Sequence, residues 1–314
     1  MTTPLVFRLS STAMGSSTCS RHIYKQIIEG VKEKYSTAAK VYGIAFHKFT
    51  DVMYKTGNPT LAVLAAKKAF AIPKHDNKKS MWLSDEGHML TTCMNVWAGF
   101  IQEDSTFDIL SVDGKPLTEQ TFSIKFYEDE HIIVYLEGTL DKIGKFKNGV
   151  FAIGDWKTTS SWNKDDYFTQ YELSRQLRLY RLATILESRI APDSPIGMIG
   201  ASRCGVFIDA VFLKPERNEV EVKRSNVFQL SDSEMVTFEQ MLNAYCSYLS
   251  HKIRTGTMLF KEGTLNGSCE GKWGKCPYWN LCKTPPEVAA ILQTRDFDIV
   301  PWNPQDYNNL NDEV

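Results

Sequence analysis

The feature that most constrains this chain is a predicted β-hairpin carrying two aspartates and a lysine. It lies in EGTLDKIGKFKNGVFAIGDWKTT, where Asn148-Gly149 is a dipeptide typical of tight turns with positive φ. Successive side chains of a strand point to opposite faces, so Asp155 and Lys157 share one face while Trp156 points to the other. The turn folds the strand ending near Asp141 back beside the strand that carries Asp155. We therefore expect two carboxylates and an ammonium to meet at one point.

Such a group of charges needs a partner, because two carboxylates a few Å apart raise each other's pKa and resist burial. A divalent cation removes the conflict, and Mg²⁺ favours one or two carboxylates together with phosphate oxygens. Lys157 then lies beside an attacking water or a phosphate. The alternative is a solvated charge pair on an exposed strand, which is the commoner meaning of an isolated Asp-x-Lys.

Two segments with helical patterning carry further polar candidates. In GIAFHKFTDVMYK the apolar residues recur at helical spacing, and Gly43 and His47 lie one turn apart. His47 is either a metal ligand or an ordinary packed histidine. In DYFTQYELSRQLRLYRLATILESR, read as one helix, Gln176 and Tyr180 lie one turn apart and can hydrogen-bond a phosphate or a ligating carboxylate. The alternative places Tyr180 in the core and Gln176 on the surface.

The order of these residues along the chain resembles that of a known family. The motifs are Gly43 to His47, Glu119, Gly138-x-x-Asp141, Asp155-Trp156-Lys157 and Gln176-x-x-x-Tyr180, and they resemble the PD-(D/E)XK nuclease superfamily, specifically its RecB-like exonuclease branch. The resemblance implies an α/β protein with a restriction-endonuclease-like core, in which helices flank a central mixed β-sheet. It also implies roles: Asp141 and Asp155 bind Mg²⁺ or Mn²⁺, His47 and Glu119 complete or support the site, Lys157 orients and helps deprotonate water, and Gln176 and Tyr180 position the strand.

The seven cysteines are unevenly spaced, and three of them lie in SCEGKWGKCPYWNLC. Three thiolates in a glycine-rich loop suggest a metal site that needs a fourth ligand. Cys19 resembles the N-terminal cysteine that joins Cys269, Cys276 and Cys282 around a 4Fe–4S cluster in AddB-like and CRISPR-associated members of this branch. Zinc also takes four thiolates and stays the alternative, although paired Cys-x-x-Cys motifs are absent. The other three, Cys93, Cys204 and Cys246, are expected to be buried apolar thiols.

The 314 residues allow one large domain or two small ones. The patterning favours a single nuclease domain at 1–283, with a helical N-terminal part at 1–105, a catalytic core at 106–230, and a long helix and cysteine loop at 231–283. Residues 284–314 are expected to form an acidic, flexible tail. No apolar run is long enough to span a bilayer, and no secretory signal is recognisable. We therefore expect a cytoplasmic protein, located in the host cytoplasm if it is phage-encoded.

The formal net charge of −1 gives no overall attraction to nucleic acid, so any binding depends on local basic patches. Candidates are Lys67, Lys68, Lys74, Lys78, Lys79, the arginines of the 167–188 helix, Lys252, Arg254 and Lys261. The expected partner is linear DNA, preferably single-stranded, whose free end threads into a channel. Three aromatic residues, Trp273, Tyr278 and Trp279, either stack on bases or pack around the cluster.

Together these features predict a metal-dependent deoxyribonuclease, an exonuclease acting from a free end in recombination, repair or phage DNA metabolism. No Gly-x-x-x-x-Gly-Lys-Ser/Thr loop occurs, so we expect no helicase motor in the same chain. A helicase, an annealing protein or a single-strand-binding protein could act in trans. Two alternatives stay open: a non-catalytic nucleic-acid-binding or assembly subunit with a nuclease fold, and a structure-specific endonuclease.

Overall fold

The computed structural model describes residues 3–15, 19–34, 38–71, 88–161, 163–200, 203–214, 219–271 and 274–300. Contacts between residues divide the chain into two compact units. The first unit consists of Met1–Lys34, Phe122–Gly138 and Val236–Glu313. The second unit consists of Tyr35–Thr121 and Thr139–Met235.

The secondary structure elements are as follows in chain order. The N-terminal elements are β1 (Leu5–Leu9), α1 (Ser11–Gly15), α2 (Ser20–Ile23), a π-helix at Tyr24–Ile28, β2 (Val31–Glu33), α3 (Ala38–Thr56), α4 (Pro59–Ala71) and α5 (His88–Glu103). The next elements are the strands β3 (Phe107–Ile109), β4 (Ser111–Val112), β5 (Lys115–Pro116), β6 (Thr118–Glu128), β7 (Ile132–Phe146) and β8 (Phe151–Thr159). The remaining elements are α6 (Lys164–Thr169), α7 (Arg175–Ile190), α8 (Gly197–Gly200), β9 (Cys204–Lys214), β10 (Glu219–Arg224), α9 (Asp232–Arg254), α10 (Gly263–Asn266), β11 (Glu270–Gly271), β12 (Gly274–Lys275), α11 (Trp279–Lys283), α12 (Pro286–Asp296) and β13 (Phe297–Ile299). None of these helices combines the length and the apolarity that crossing a membrane requires.

The strands form a mixed sheet, as the sequence predicts. In the first unit, β1 runs parallel to the first part of β7. In the second unit, the rest of β7 is antiparallel to β8, β8 is parallel to β9, and β9 is antiparallel to β10. Strand β9 is buried along almost its whole length, which is typical of a strand covered on both faces.

Helices cover both faces of this sheet in the second unit. Trp156 of β8 is fully buried in a hydrophobic cluster with residues of α3 and α5. Its neighbour Asp155 points to the opposite face, where Gln176 of α7 contacts it. The predicted α/β architecture, a mixed sheet flanked by helices, is therefore confirmed.

The predicted hairpin between β7 and β8 is also confirmed. Gly149 has a φ of 90°, a backbone conformation that residues with a side chain rarely adopt. Its amide donates to the Phe146 carbonyl at 2.8 Å. The amide of Phe146 donates to Val150 at 2.9 Å and closes the turn. The antiparallel register pairs Lys142 with Gly154, which fixes the position of the residues on either side.

A buried ion network lies directly beside the two aspartates in the sequence. Lys142 is fully buried and forms an ion pair with Asp209 of β9, which also accepts two hydrogen bonds from Arg224 at 2.7 and 2.8 Å. A Cβ at Gly154 would lie 2.3 Å from the Lys142 side chain, so only glycine fits opposite this lysine. Removing one charged side chain of this network would leave a buried charge without a counterion, which strongly destabilises a protein. The network therefore fixes the strands on which the site is built.

Several boundaries differ from the sequence prediction. The N-terminal part is mostly helical but also contains β1 and β2, which the short segments LVFRL and VKE did not reveal. The segment read as one helix is two, α6 and α7, because the Ser174 side chain accepts from the Leu177 amide and starts a new helix. Leu173, an apolar residue of this segment, lies in the break and is 80% exposed.

A capping box starts α9. The Ser231 amide donates to the Glu234 carboxylate at 2.9 Å, and the Glu234 amide donates to the Ser231 hydroxyl at 3.3 Å. Further on, part of the predicted flexible tail has regular structure, because α12 leads into β13 and β13 pairs antiparallel with β2. Residues 301–314 lie outside the described part of the chain.

Candidate active site

The hairpin brings its two aspartates and its lysine together. One residue beyond the Lys142–Gly154 pair, the same register places Asp141 opposite Asp155. Both carboxylates are buried, and Lys157 forms an ion pair with Asp155. The backbone amide of Trp156 donates to the Asp141 carboxylate at 2.7 Å. This hydrogen bond orients Asp141 without adding charge. Because its donor is a backbone amide, a pattern of side chains cannot predict it.

Two further predicted residues, His47 of α3 and Glu119 of β6, lie next to Asp141. His47 Nδ1 is 3.5 Å from an Asp141 oxygen and 3.6 Å from a Glu119 oxygen. One ligand atom from each of the three residues lies within 4.8 Å of the other two. Adjacent ligands of an octahedral cation with bonds of about 2.1 Å are separated by about 3 Å, so a small contraction would complete such a set. The nitrogen and oxygen donors suit Mg²⁺ or Mn²⁺.

An orphaned oxygen also points to a missing ligand. Glu119 Oε1 is buried and has no hydrogen-bond partner, although buried carboxylate oxygens are normally satisfied. It is the same oxygen that faces His47. A cation bound by these residues would satisfy it, so the residues present fit a divalent metal.

The pKa values show the electrostatic cost of this arrangement. The pKa of Asp155 is raised to about 6: burial is the largest cause, Lys157 opposes the shift, and the nearby Asp141 adds to it. Burial likewise raises the pKa of Asp141. Burial alone would lower the pKa of His47, but Asp141 and Glu119 outweigh it and raise the value to about 9. Carboxylates held against such a cost are typical of functional sites.

Gln176 and Tyr180 of α7 also reach this site. The Gln176 amide donates to Asp155 at 2.9 Å and to the Tyr180 hydroxyl at 2.6 Å. Tyr180 is buried, and burial raises its pKa well above the usual value, so the phenol keeps its proton. Gln176 is therefore not a surface residue: it contacts the same carboxylate that Lys157 contacts.

Glu119 has an unusual backbone conformation. Among the described residues other than glycine, only Asp113 and Glu119 have positive φ, at 51° and 49°. Asp113 precedes Gly114 in the turn between β4 and β5, where Asp-Gly is a favoured pair. Glu119 lies inside β6, where no turn explains its positive φ. This backbone conformation costs about 1–2 kcal/mol. Strain of this kind concentrates at functional sites.

The four cysteines of the predicted cluster all belong to the first unit and are partly exposed and unpaired. The pKa of Cys276 is raised to about 11: burial is the largest cause, and the nearby Cys282, Cys269 and Cys19 contribute in the same direction. Among the described residues, however, no three cysteine sulfurs lie within 4.8 Å of one another. The predicted iron–sulfur loop is therefore not shown. Cys93, Cys204 and Cys246 are buried, as expected.

Glu262 joins the two segments that carry these cysteines, and no sequence pattern indicated this role. Its carboxylate accepts the backbone amide of Ser20, the residue after Cys19, at 2.9 Å, and it also accepts the Ser20 hydroxyl. Tyr248 and Lys252 of α9 bind its other oxygen. Burial alone would raise the pKa of Glu262, but these donors outweigh it and lower the value to about 2.

We expect Glu262→Gln to lower the free energy of unfolding by about 2 kcal/mol at neutral pH, since hydrogen bonds to a charged group are lost. The native-state pKa is below the ordinary value of 4.5, so the stabilisation is complete above pH 4.5 and declines as the pH falls toward 2. Urea denaturation of both proteins across this range measures the difference. The exposed Glu172→Gln is the control, and a pH-independent difference for Glu262→Gln would contradict the assignment.

The predicted DNA-contacting residues have mixed outcomes. Tyr278 packs rather than stacks on a base: it is buried, lies 5.7 Å from the Phe297 ring, and donates to the Val31 carbonyl at 2.6 Å. Arg181 is buried and donates to the Gly200 carbonyl at 3.2 Å, so it does not line a groove. Lys252 forms an ion pair with Glu262. Four other candidates, Lys74, Lys78, Lys79 and Trp273, lie outside the described residues.

Comparison with known proteins addresses the family. No curated protein matches the sequence. One similar solved structure is described as "Crystal structure of SSO0001"; it is 13% identical, the match covers 71% of this chain and 85% of that chain, and the TM-score is 0.26. The model of the PD-(D/E)XK nuclease superfamily matches residues 11–283. This range contains the hairpin carboxylates, Lys157, His47 and Glu119. The chain belongs to the PD-(D/E)XK nuclease superfamily, whose members are phosphodiester nucleases.

Proposed function

We propose that this protein is a Mg²⁺- or Mn²⁺-dependent DNA exonuclease. The observation that carries the proposal is the convergence of His47, Glu119 and Asp141 beside the Asp155–Lys157 ion pair. An acidic group next to an ammonium suits phosphodiester hydrolysis, in which negative charge develops on the phosphate and on the leaving oxygen. Family membership independently supports a nucleic-acid substrate.

In this proposal Asp141, Asp155, Glu119 and His47 hold the cation. A bound Mg²⁺ or Mn²⁺ supplies positive charge that stabilises the developing charge on the phosphate. Burial alone would lower the pKa of Lys157, but Asp155 and Asp141 outweigh it and raise the value. We assign Lys157 the role of orienting the attacking water and helping to deprotonate it.

Gln176 and Tyr180 orient the reacting groups. Gln176 fixes one oxygen of Asp155, which leaves the other toward Lys157. The Tyr180 hydroxyl accepts from Gln176 and keeps its own proton available for a phosphate oxygen. Both residues thus act by hydrogen bonding and add no charge to an already crowded site.

The cysteine cluster is a second part of the proposal. Cys19, Cys269, Cys276 and Cys282 are four thiols of one compact unit, which is the donor set that a 4Fe–4S cluster needs. Cys276 and Cys282 also pack against a small hydrophobic cluster that contains Val31, Tyr278 and Phe297. Zinc also takes four thiolates and stays the alternative for this site.

The exonuclease assignment rests on the resemblance to end-dependent enzymes and predicts a requirement for a free end. With Mg²⁺ or Mn²⁺, linear single-stranded DNA should be consumed while a covalently closed circle of the same sequence survives. Contacts mainly to phosphates should also make binding fall steeply with salt. Digestion of the two forms, end-labelled or stained on denaturing gels, measures the difference.

Two controls make this test decisive. The circle linearised by a single cut must become a substrate, and Asp155→Asn protein must leave both forms intact, which excludes a contaminating nuclease. Efficient cutting of the closed circle would replace the exonuclease proposal with an endonuclease. Binding of DNA without cleavage under any metal would favour a non-catalytic subunit.

A further inference from the structure

A hydrogen bond away from the metal group accounts for the strained residue of the site. The Thr118 hydroxyl donates to the Asp51 carboxylate at 2.8 Å, and both side chains are buried. Thr118 immediately precedes Glu119, the residue with positive φ inside β6. Asp51 lies one turn after His47 on α3, so both residues share a side of the helix. One helix thus contacts two successive residues of β6.

The backbone on both sides of Glu119 is anchored. The Gln120 side chain donates back to the Thr118 carbonyl at 2.9 Å, and the Leu117 carbonyl accepts from the Ile143 amide of β7 at 2.9 Å. The Oε1 atom of Glu119 does not take part in this anchoring, because it has no hydrogen-bond partner and faces His47. The unfavourable φ therefore persists because its neighbours impose it.

The charge on Asp51 is balanced locally and does not require a metal. Lys55, one turn further along α3, binds the Asp51 carboxylate at 2.9 Å. Asp51 is thus a structural hydrogen-bond acceptor with its own counterion, unlike the carboxylates of Glu119 and Asp141 in the candidate metal site. Removing the Thr118 hydroxyl would leave this ion pair intact and would release only the backbone beside Glu119.

We infer that the Asp51–Thr118 hydrogen bond positions the Glu119 carboxylate for the divalent cation. Asp51 and Thr118 are positioning residues: they act through Glu119 and do not contact the metal. The inference rests on the proposed function, since it assigns Glu119 to the metal group. Its chemistry is that of an outer-shell contact, whose loss typically weakens metal binding about 10- to 100-fold.

Mn²⁺ binding to the full-length protein without DNA tests this inference. We expect Thr118→Val, and equally Thr118→Ala, to weaken Mn²⁺ binding about tenfold by calorimetry or by the EPR signal of free Mn²⁺. Thr118→Ser keeps the hydroxyl and should restore the parental affinity. Glu119→Gln is the positive control for loss of a ligand.

A matched variant separates positioning from general destabilisation. Thr184 is also fully buried, lies in the same unit, and uses its hydroxyl to bond Arg181. Thr184→Val should lower the melting temperature without changing Mn²⁺ affinity. Parental Mn²⁺ affinity in folded Thr118→Val or Thr118→Ala would overturn the inference while leaving the proposed function intact. A parent protein that neither binds Mn²⁺ nor cuts DNA would instead overturn the proposed function.

Discussion

Asp155→Asn should abolish DNA cleavage while leaving the fold and DNA binding in place. The substitution nearly preserves the shape of the side chain and its contact with Gln176 but removes a buried charge opposite Asp141. Loss of a metal-binding carboxylate removes several kcal/mol of transition-state stabilisation. At 1.36 kcal/mol per tenfold change, this corresponds to a rate decrease of roughly 10³-fold or more. Single-turnover digestion of labelled DNA and fluorescence anisotropy measure cleavage and binding separately.

A surface aspartate provides the matched control for this variant. Asp108 is 62% exposed at its side chain and pairs with Lys147, so Asp108→Asn should cut at the parental rate. Lys157→Ala should behave like Asp155→Asn, because the ammonium beside Asp155 is lost. Parental activity in Asp155→Asn would show that the assigned site is wrong, whatever the family.

Cys282→Ser should bleach the protein if the four-cysteine site holds a 4Fe–4S cluster. Anaerobically purified parent protein should be brown and carry about four irons per chain, as four-cysteine ligation requires. The variant should lose the iron and should also become less soluble, since the segments carrying Cys19 and the C-terminal cysteines would no longer be tied through the cluster. Iron and sulfide analysis, visible absorbance and sedimentation measure these changes.

Cys246→Ser is the matched control for the cluster ligand. Cys246 is buried in α9, where a serine hydroxyl can hydrogen-bond the preceding helical turn. The Cys246→Ser protein should therefore keep its iron. Stoichiometric zinc without iron in the parent would reject the iron–sulfur cluster in favour of a tetrathiolate zinc site. Full iron content in Cys282→Ser would remove Cys282 from the ligand set.

The hairpin was the part of the site most accessible from sequence. Asn148-Gly149 determined the turn, the turn determined the register, and the register brought Asp141 opposite Asp155. This succeeds because period-two alternation and turn chemistry are local properties. The pairing of Gln176 with Tyr180 was accessible for the same reason, since helical spacing is local.

The details that depend on distant contacts were not accessible. The positive φ of Glu119 breaks strand alternation, and it lies beside the hydrogen bond between Thr118 and Asp51, two residues that are far apart in the sequence. Glu262 likewise acts through Ser20, which no local pattern links to it. Tertiary contacts overrode local preference in both cases.

Helix boundaries failed for a different reason. The apolar spacing across α6 and α7 suits one continuous helix, but Ser174 caps the second helix and separates the two. The exposed Leu173 shows that apolar periodicity can continue by chance through a break. Ser174 was visible in the sequence, but a mid-segment serine is a weaker signal than an unbroken apolar pattern.

The interleaving of the two units along the chain has a consequence for biosynthesis. The segments Tyr35–Thr121 and Thr139–Met235 of the second unit precede the last segment of the first unit, which needs Val236–Glu313 in addition to Met1–Lys34 and Phe122–Gly138. Since domains tend to fold as they leave the ribosome, the residues of the candidate active site should be assembled before Cys269, Cys276 and Cys282 are available to Cys19. Closing that long loop costs only logarithmically more than closing a short one, so the delay is kinetic. Any cofactor held by the four cysteines is therefore inserted late, after the segment that carries Cys282 has emerged.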